Sequence, residues 1–246
     1  MPSFNGRGEP ANTLWVFPLI AGLVPFAATA ATLWLYTSLA EGHSCNPLIE
    51  GCVSISRTAK HGLPNHLFRI LVLPAAALQA QTWLLCGPWL KGLGAESRRT
   101  LRVLPWLGVV GAAFLVLYGG LLGTEGAAYR WMRHYGVLIY FGATYLCMAI
   151  TALEFRRLTR SRLVTAPARL DLWLLGICLV IFGMWLVQTF LRPFIEDKDL
   201  RNRLTNILEW YAEIGFTVFF LGLAWVWRSL RFTVQLVSNG ARQPLS

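Results

Sequence analysis

The sequence predicts an all-α, polytopic membrane protein: six transmembrane helices in one bundle, with both termini in the cytoplasm. Three observations predict it. Apolar residues make up 55% of the 246 and charged residues only 14%, against roughly 45–50% and about 25% in an ordinary globular chain. The apolar residues fall into six runs of about 20, the length that crosses a hydrocarbon core about 30 Å thick. The basic residues fall between those runs and are unequally divided between the two sides. This composition excludes a disordered chain and a small disulfide scaffold. A net charge of +10 without a polar surface to carry it excludes a nucleic-acid binder.

The first span runs from about Leu14 to Ala40 and carries Pro18 and Pro25. It is too long, and lacks a clear cleavage site, for a removed signal peptide, so it is expected to stay as the first anchor. The second, about Leu67 to Leu90, carries Pro74 and Pro88, and the third, Leu101 to Leu122, starts near Pro105. Prolines are tolerated in membrane helices, and kinks are expected at them. The third span also places Gly108, Ala112, Gly119 and Gly123 at helical spacing. Such a row lets a neighbouring helix approach closely, or lines a substrate path. The fourth span covers His134 to Leu153, the fifth Leu170 to Leu191 and the sixth Ile207 to Trp227. The runs are continuous rather than alternating, which excludes barrel strands. With no repeat or low-complexity segment, residues 1–246 read as a single six-helix domain.

With the N-terminus inside, thirteen Lys and Arg face the cytoplasm with four acids, and nine face outward with eight. The inner face is +9 and the outer +1, which satisfies the positive-inside rule. The fourth loop, Arg156-Arg157-Leu158-Thr159-Arg160-Ser161-Arg162, either sets topology or attracts anionic headgroups.

The unusual residues collect outside. The long first loop, 41–66, holds His43, His61 and His66, and His134 opens the fourth span on the same side. Histidine is a metal ligand by type, but the spacing matches no metal motif, and no metal or other cofactor is expected. Haem would need histidines within spans. Cys45 and Cys52 are the only cysteines outside the spans; on an oxidising side they are candidates for a structural disulfide. Cys86, Cys147 and Cys178 lie inside spans as small apolar residues.

Glu209 and Glu213 are four apart and share one face of the sixth helix, in its outer third. Acids at that depth face the bundle interior or a water-filled cavity. Their expected partners are Arg69, Arg130, Arg133 or His134. They form either an ion-pair network that pins the helix ends or an outward-opening pocket for a headgroup or a proton. Arg69 begins the second span, well placed for a lipid phosphate. The pocket candidates are therefore Glu209, Glu213, Arg69, His134 and His66. Phosphate loops, zinc-protease motifs, nucleophile elbows, Cys-x-x-Cys and broken-helix repeats are absent.

Two short stretches carry a resemblance: Cys52-Val53-Ser54-Ile55-Ser56, with Phe68-Arg69 entering the second span, and Glu209-Trp210 in the last. With the six-span layout, they resemble the Frag/DRAM/Sfk family of membrane proteins, which includes the damage-regulated autophagy modulators. The resemblance implies lipid sorting, anchor remodelling or regulation of a lipid kinase, and brings no catalytic residues with it. The chain lacks an Asn-x-Ser/Thr sequon, which favours a bacterial inner-membrane relative over a eukaryotic endomembrane or plasma-membrane one. The expected function is non-catalytic lipid binding or organisation. The alternatives are a membrane enzyme acting on a lipid or glycolipid headgroup, and a subunit of a larger membrane complex. Membrane lipids, and a protein in the membrane, are the expected partners; nucleic acid is not.

Overall fold

A computed structural model describes residues 13–39 and 45–230. Six long helices correspond to the six apolar runs: α1 (Val16–Ser38), α3 (Gly62–Gly92), α4 (Arg98–Leu121), α5 (Ala127–Arg160), α6 (Leu170–Leu191) and α7 (Lys198–Ser229). Each is long and apolar enough to cross a membrane. One short helix, α2 (Ile55–Thr58), interrupts the segment between α1 and α3. Two single-turn 3-10 helices, Pro167–Arg169 and Arg192–Phe194, flank α6, and the other described residues are turns and loops, with no strand among them. Successive long helices pack side by side, and α7 closes against α1, so the six form a ring. The Arg228 guanidinium lies over the Trp15 ring at 5.2 Å, which puts the start of α1 beside the end of α7. That end is called the terminal end; the other, which carries α2 and the long first loop, is the loop end.

Two helices extend well past their apolar runs. α5 gains residues at both ends, and α7 starts nine residues before Ile207. Hydropathy marks the depth of hydrocarbon, whereas a helix continues until its backbone is capped. For α7 the cap is Asp197, whose carboxylate accepts from the backbone N–H of Asp199 at 2.8 Å and of Leu200 at 3.3 Å. Such a cap contributes about 0.5–2 kcal/mol. The first loop is not wholly irregular either, because Ser54 caps α2, accepting from the Arg57 N–H at 3.2 Å. α3 then begins at Gly62 rather than Leu67. Pro25, Pro74, Pro88 and Pro105 all lie inside continuous helices.

Lipid is as apolar as a leucine core, so close packing rather than hydrophobic burial holds such a bundle together. At the terminal half the core is aromatic. Trp89 packs on Phe155 at 5.4 Å and on Trp227 at 5.9 Å, and Trp83 packs on Phe220 at 5.3 Å. Glycines admit these rings. A methyl group added to Gly108 would land on Trp83, and one on Gly22 would come within 2.7 Å of Phe220. Gly119 faces Leu73, Val72 and Phe68, so the small-residue row of the third span is where α4 meets α3. Two ion pairs lie at the terminal end. Arg156 meets the buried Asp171 at 2.5 Å, with Thr159 donating to the same oxygen at 2.9 Å, and Arg157 meets Glu154 at 2.7 Å.

α6 is unevenly held. Its buried residues are Leu170, Asp171, Leu174, Cys178 and Ile181. From Phe182 to Leu191 nothing is buried. The α6–α7 approach is set by Gly222 against Leu174 and Gly215 against Ile181, both in that same half.

Candidate functional site

The loop end is assembled by side chains that bind backbone carbonyls. α4 stops at Leu121, whose carbonyl accepts from the Thr124 hydroxyl at 2.6 Å; Leu122 and Gly123 supply no capping side chain, so the neighbouring carbonyls take donors from other helices. Arg69 from α3 donates to Gly119 O at 3.3 Å and to Leu122 O at 2.5 Å. Asn65 donates to Leu122 O at 3.0 Å and Ala59 O at 2.9 Å. Arg133 from α5 donates to Leu121 O at 3.0 Å and Thr124 O at 2.5 Å. Cations at a helix C-terminus also complement its dipole. Arg69 and Arg133 thus tie α3 and α5 to the end of α4. They are not the ion-pair partners of Glu209 and Glu213 that the charge pattern suggests. Arg69 is half-buried at this cap rather than free at the lipid surface.

The first loop is fastened to α7. The Trp210 indole donates to Val53 O at 3.0 Å, and the Asn206 amide to Gly51 O at 2.7 Å. Gly51 has φ +63, and any side chain there would collide with the Arg203 carbonyl, so only glycine allows the approach. Cys45 and Cys52 form a disulfide that closes the intervening segment. Closing so short a loop contributes about 2–3 kcal/mol in the chain-entropy account. Serine at both positions should lower the unfolding midpoint accordingly and expose residues 45–52 to protease. An unchanged midpoint and cleavage pattern would count against a structural role. The two stretches that carry the family resemblance meet here, 157 residues apart in sequence at the Val53–Trp210 bond.

Two features result. The first is a groove of about 570 Å³ whose walls are Phe26, Ala30 and Leu33 of α1 with Trp210 and Ile214 of α7. Its roof is the disulfide-closed stretch with Asn46, Pro47, Leu48 and Glu50. The volume lies within the 300–1,000 Å³ of small-molecule sites, and the lining is mostly apolar. A depression of about 650 Å³ at the terminal end, beside Lys91, Glu96 and Arg102, touches none of the sequence-predicted pocket residues.

The second feature is a pair of acids on the neighbouring face of α7. Because α7 starts nine residues before its apolar run, Glu213 sits at the midpoint of the helix while keeping its place in the outer third of that run. Glu209, one turn nearer the loop end, is half-buried and lies against the backbone N–H of Ser56. Glu213 is 7% exposed. Around them stand two buried tyrosines, Tyr118 of α4, in range of both carboxylates and of Arg133, and Tyr140 of α5, in range of Glu213. Gln79 of α3 reaches the Tyr140 hydroxyl. Among the described residues neither glutamate has an ion-pair partner, since the ion pairs are all at the terminal end. An acid deep in a span costs about 2.5–3.5 kcal/mol on insertion scales, so two without a paired cation are an expensive arrangement.

Comparison with known protein families, with curated proteins and with solved structures finds no match to this chain.

The histidines do not join these acids. His61, His66 and His134 are all exposed. His66 bonds Gly62 O of its own helix at 2.8 Å, and His134 stands edge-on to Tyr135 at 5.3 Å. His43 lies outside the described residues. No three His, Cys, Asp or Glu among the described residues are placed to hold a metal ion. Of the pocket candidates, Glu209 and Glu213 stand one turn apart on α7, Arg69 caps α4, and His66 and His134 lie apart from them. Tyr118, Tyr140 and Gln79 were not singled out from the sequence. The available signal was their polarity within otherwise apolar spans.

Proposed function

We propose that this integral membrane protein binds a membrane lipid at its loop end, holding an acyl chain in the groove between α1 and α7 without chemically altering it. One observation carries the reading: an apolar groove of about 570 Å³, walled by two membrane-spanning helices and roofed by the disulfide-closed loop. An acyl chain matches both its lining and its setting, because the walls stand at hydrocarbon depth while the roof presents Asn46 and Glu50 to a headgroup. The charge asymmetry of +9 against +1 supports a cytoplasmic terminal end and an outward loop end. We place the chain in a bacterial inner membrane, beside the Frag/DRAM/Sfk proteins that its loop and last-span motifs resemble.

The test is lipid retention by the purified protein, read by native mass spectrometry. Ala30→Trp, which fills the groove with a side chain, should carry about one-fifth or less of the wild-type lipid, because displacing an acyl chain removes its burial at about 0.8 kcal/mol per CH₂. Val180→Trp, on the exposed face of α6, should retain the wild-type amount. Equal retention by Ala30→Trp and wild type would overturn the reading.

A further inference from the structure

The acyl groove has one charged group in its lining, and that group bears on the headgroup of the lipid. We propose that the groove selects a zwitterionic lipid whose headgroup ends in a primary amine, with Glu50 receiving the ammonium and Asn46 the phosphate. The proposal rests on the acyl-chain reading above and specifies the headgroup of the same ligand.

The lining sets the charge. Of the described residues that bound the groove, Glu50 alone is charged, and no Lys or Arg is among them. The chain carries 22 Lys and Arg against 12 acids, so a mouth with an acid and no base runs against its overall charge. Glu50 is exposed and takes part in no ion pair among the described residues. Arg203, the α7 cation whose backbone meets Gly51, is exposed and does not line the groove. An anionic headgroup would therefore meet a carboxylate with no cation in the lining to offset it.

Hydrogen bonding sets the chemistry. Glu50 is held in place, because its Oε1 accepts from the Asn46 backbone N–H at 2.9 Å and its own N–H donates to Asn46 O at 2.8 Å. A carboxylate has about four lone-pair sites, so one such bond leaves it able to accept more. Asn46 is held in the complementary sense. Its Oδ1 accepts from the Leu48 N–H at 3.0 Å, which leaves the two N–H donors of its amide for an outside acceptor. The Trp210 indole N–H, the polar group of the walls, is already committed to Val53 O. The roof thus offers one anionic acceptor beside one neutral donor. A phosphate followed by a primary ammonium is complementary to that pair. The ammonium makes charge-assisted hydrogen bonds to a carboxylate, whereas a quaternary amine carries the charge without donors and a glycerol headgroup lacks the charge.

The experiment reconstitutes the full-length protein into vesicles of equal parts phosphatidylethanolamine, phosphatidylcholine and phosphatidylglycerol with the same acyl chains. The protein is then extracted, and native mass spectrometry reads the lipids it retains. Phosphatidylethanolamine should exceed phosphatidylglycerol about two- to five-fold, the range that one exposed ion pair supports, with phosphatidylcholine between them. Glu50→Gln, whose amide oxygen can still accept from Asn46, should bring that ratio to the vesicle's own. Asn46→Ala should lower all three lipids together and keep their order. Retention of the three headgroups in equal amounts, or an excess of phosphatidylglycerol, would overturn the proposal and leave the acyl-chain reading standing. So would an undiminished phosphatidylethanolamine excess in Glu50→Gln. Retention of no lipid at all would overturn both.

Discussion

Leucine at position 108 is expected to destabilise the protein by about 3 kcal/mol, at the upper end of what overpacking usually costs. The first added carbon already lands on Trp83. That ring cannot move aside, being fully buried and packed on Phe219 and Phe220. The backbones of α3 and α4 must separate instead, and in a bundle held by van der Waals contact a separation removes the attraction itself. Gly120→Leu, twelve residues along the same helix, is the matched control, because it is exposed and nothing stands within 4 Å. Thermal melts in detergent should place Gly108→Leu far below wild type and Gly120→Leu close to it. Similar melts for the two variants would show that Gly108 is not where α4 seats on α3.

Trp210→Ala should cost about 3–5 kcal/mol, the range for emptying a buried aromatic site. Trp210→Phe should cost about 1–3 kcal/mol, the penalty of leaving a buried carbonyl without its donor. The indole is 5% exposed and its N–H holds Val53 O. Asn206 and Gly51 make the adjoining tie between the same segments. Losing Trp210 therefore frees the loop at one of two neighbouring points and removes one wall of the acyl groove. Limited proteolysis should cut between residues 45 and 54 in the alanine variant, with the phenylalanine variant intermediate. If the two variants melt together, the ring matters only for its shape and the hydrogen bond contributes nothing.

The sequence conveyed the spans because continuous apolarity over about 20 residues has one physical meaning in a chain this poor in charge. It did not convey where α5 and α7 end. Asp197 and the polar turns after it extend α7 by nine residues, and that extension is what moves Glu213 to mid-helix. The pairing of Glu209 with Arg69 or Arg133 was a fair expectation from charge, but it left out a competitor. At the end of α4 the Leu121 carbonyl has a local donor in the Thr124 hydroxyl, but those of Gly119 and Leu122 have no local side-chain donor, and these carbonyls together hold both guanidiniums. Ser54 as the cap of a four-residue helix is visible only once the fold is known, because so short an element has no periodicity. The buried polar surroundings of the two acids are illegible in the sequence for a related reason. Tyr118, Tyr140 and Gln79 come from three helices, and each passes alone as an ordinary polar interruption of a span.

α6 has a consequence for how the molecule meets its surroundings. All its buried residues lie between Leu170 and Ile181, so the remaining stretch, with Trp185 and Phe190 well exposed, is left largely to acyl chains. For that half-helix the bilayer takes the role of a packing partner. Leaflet thickness and chain order act on it directly, while the tryptophan-filled terminal half is insulated by its own neighbours.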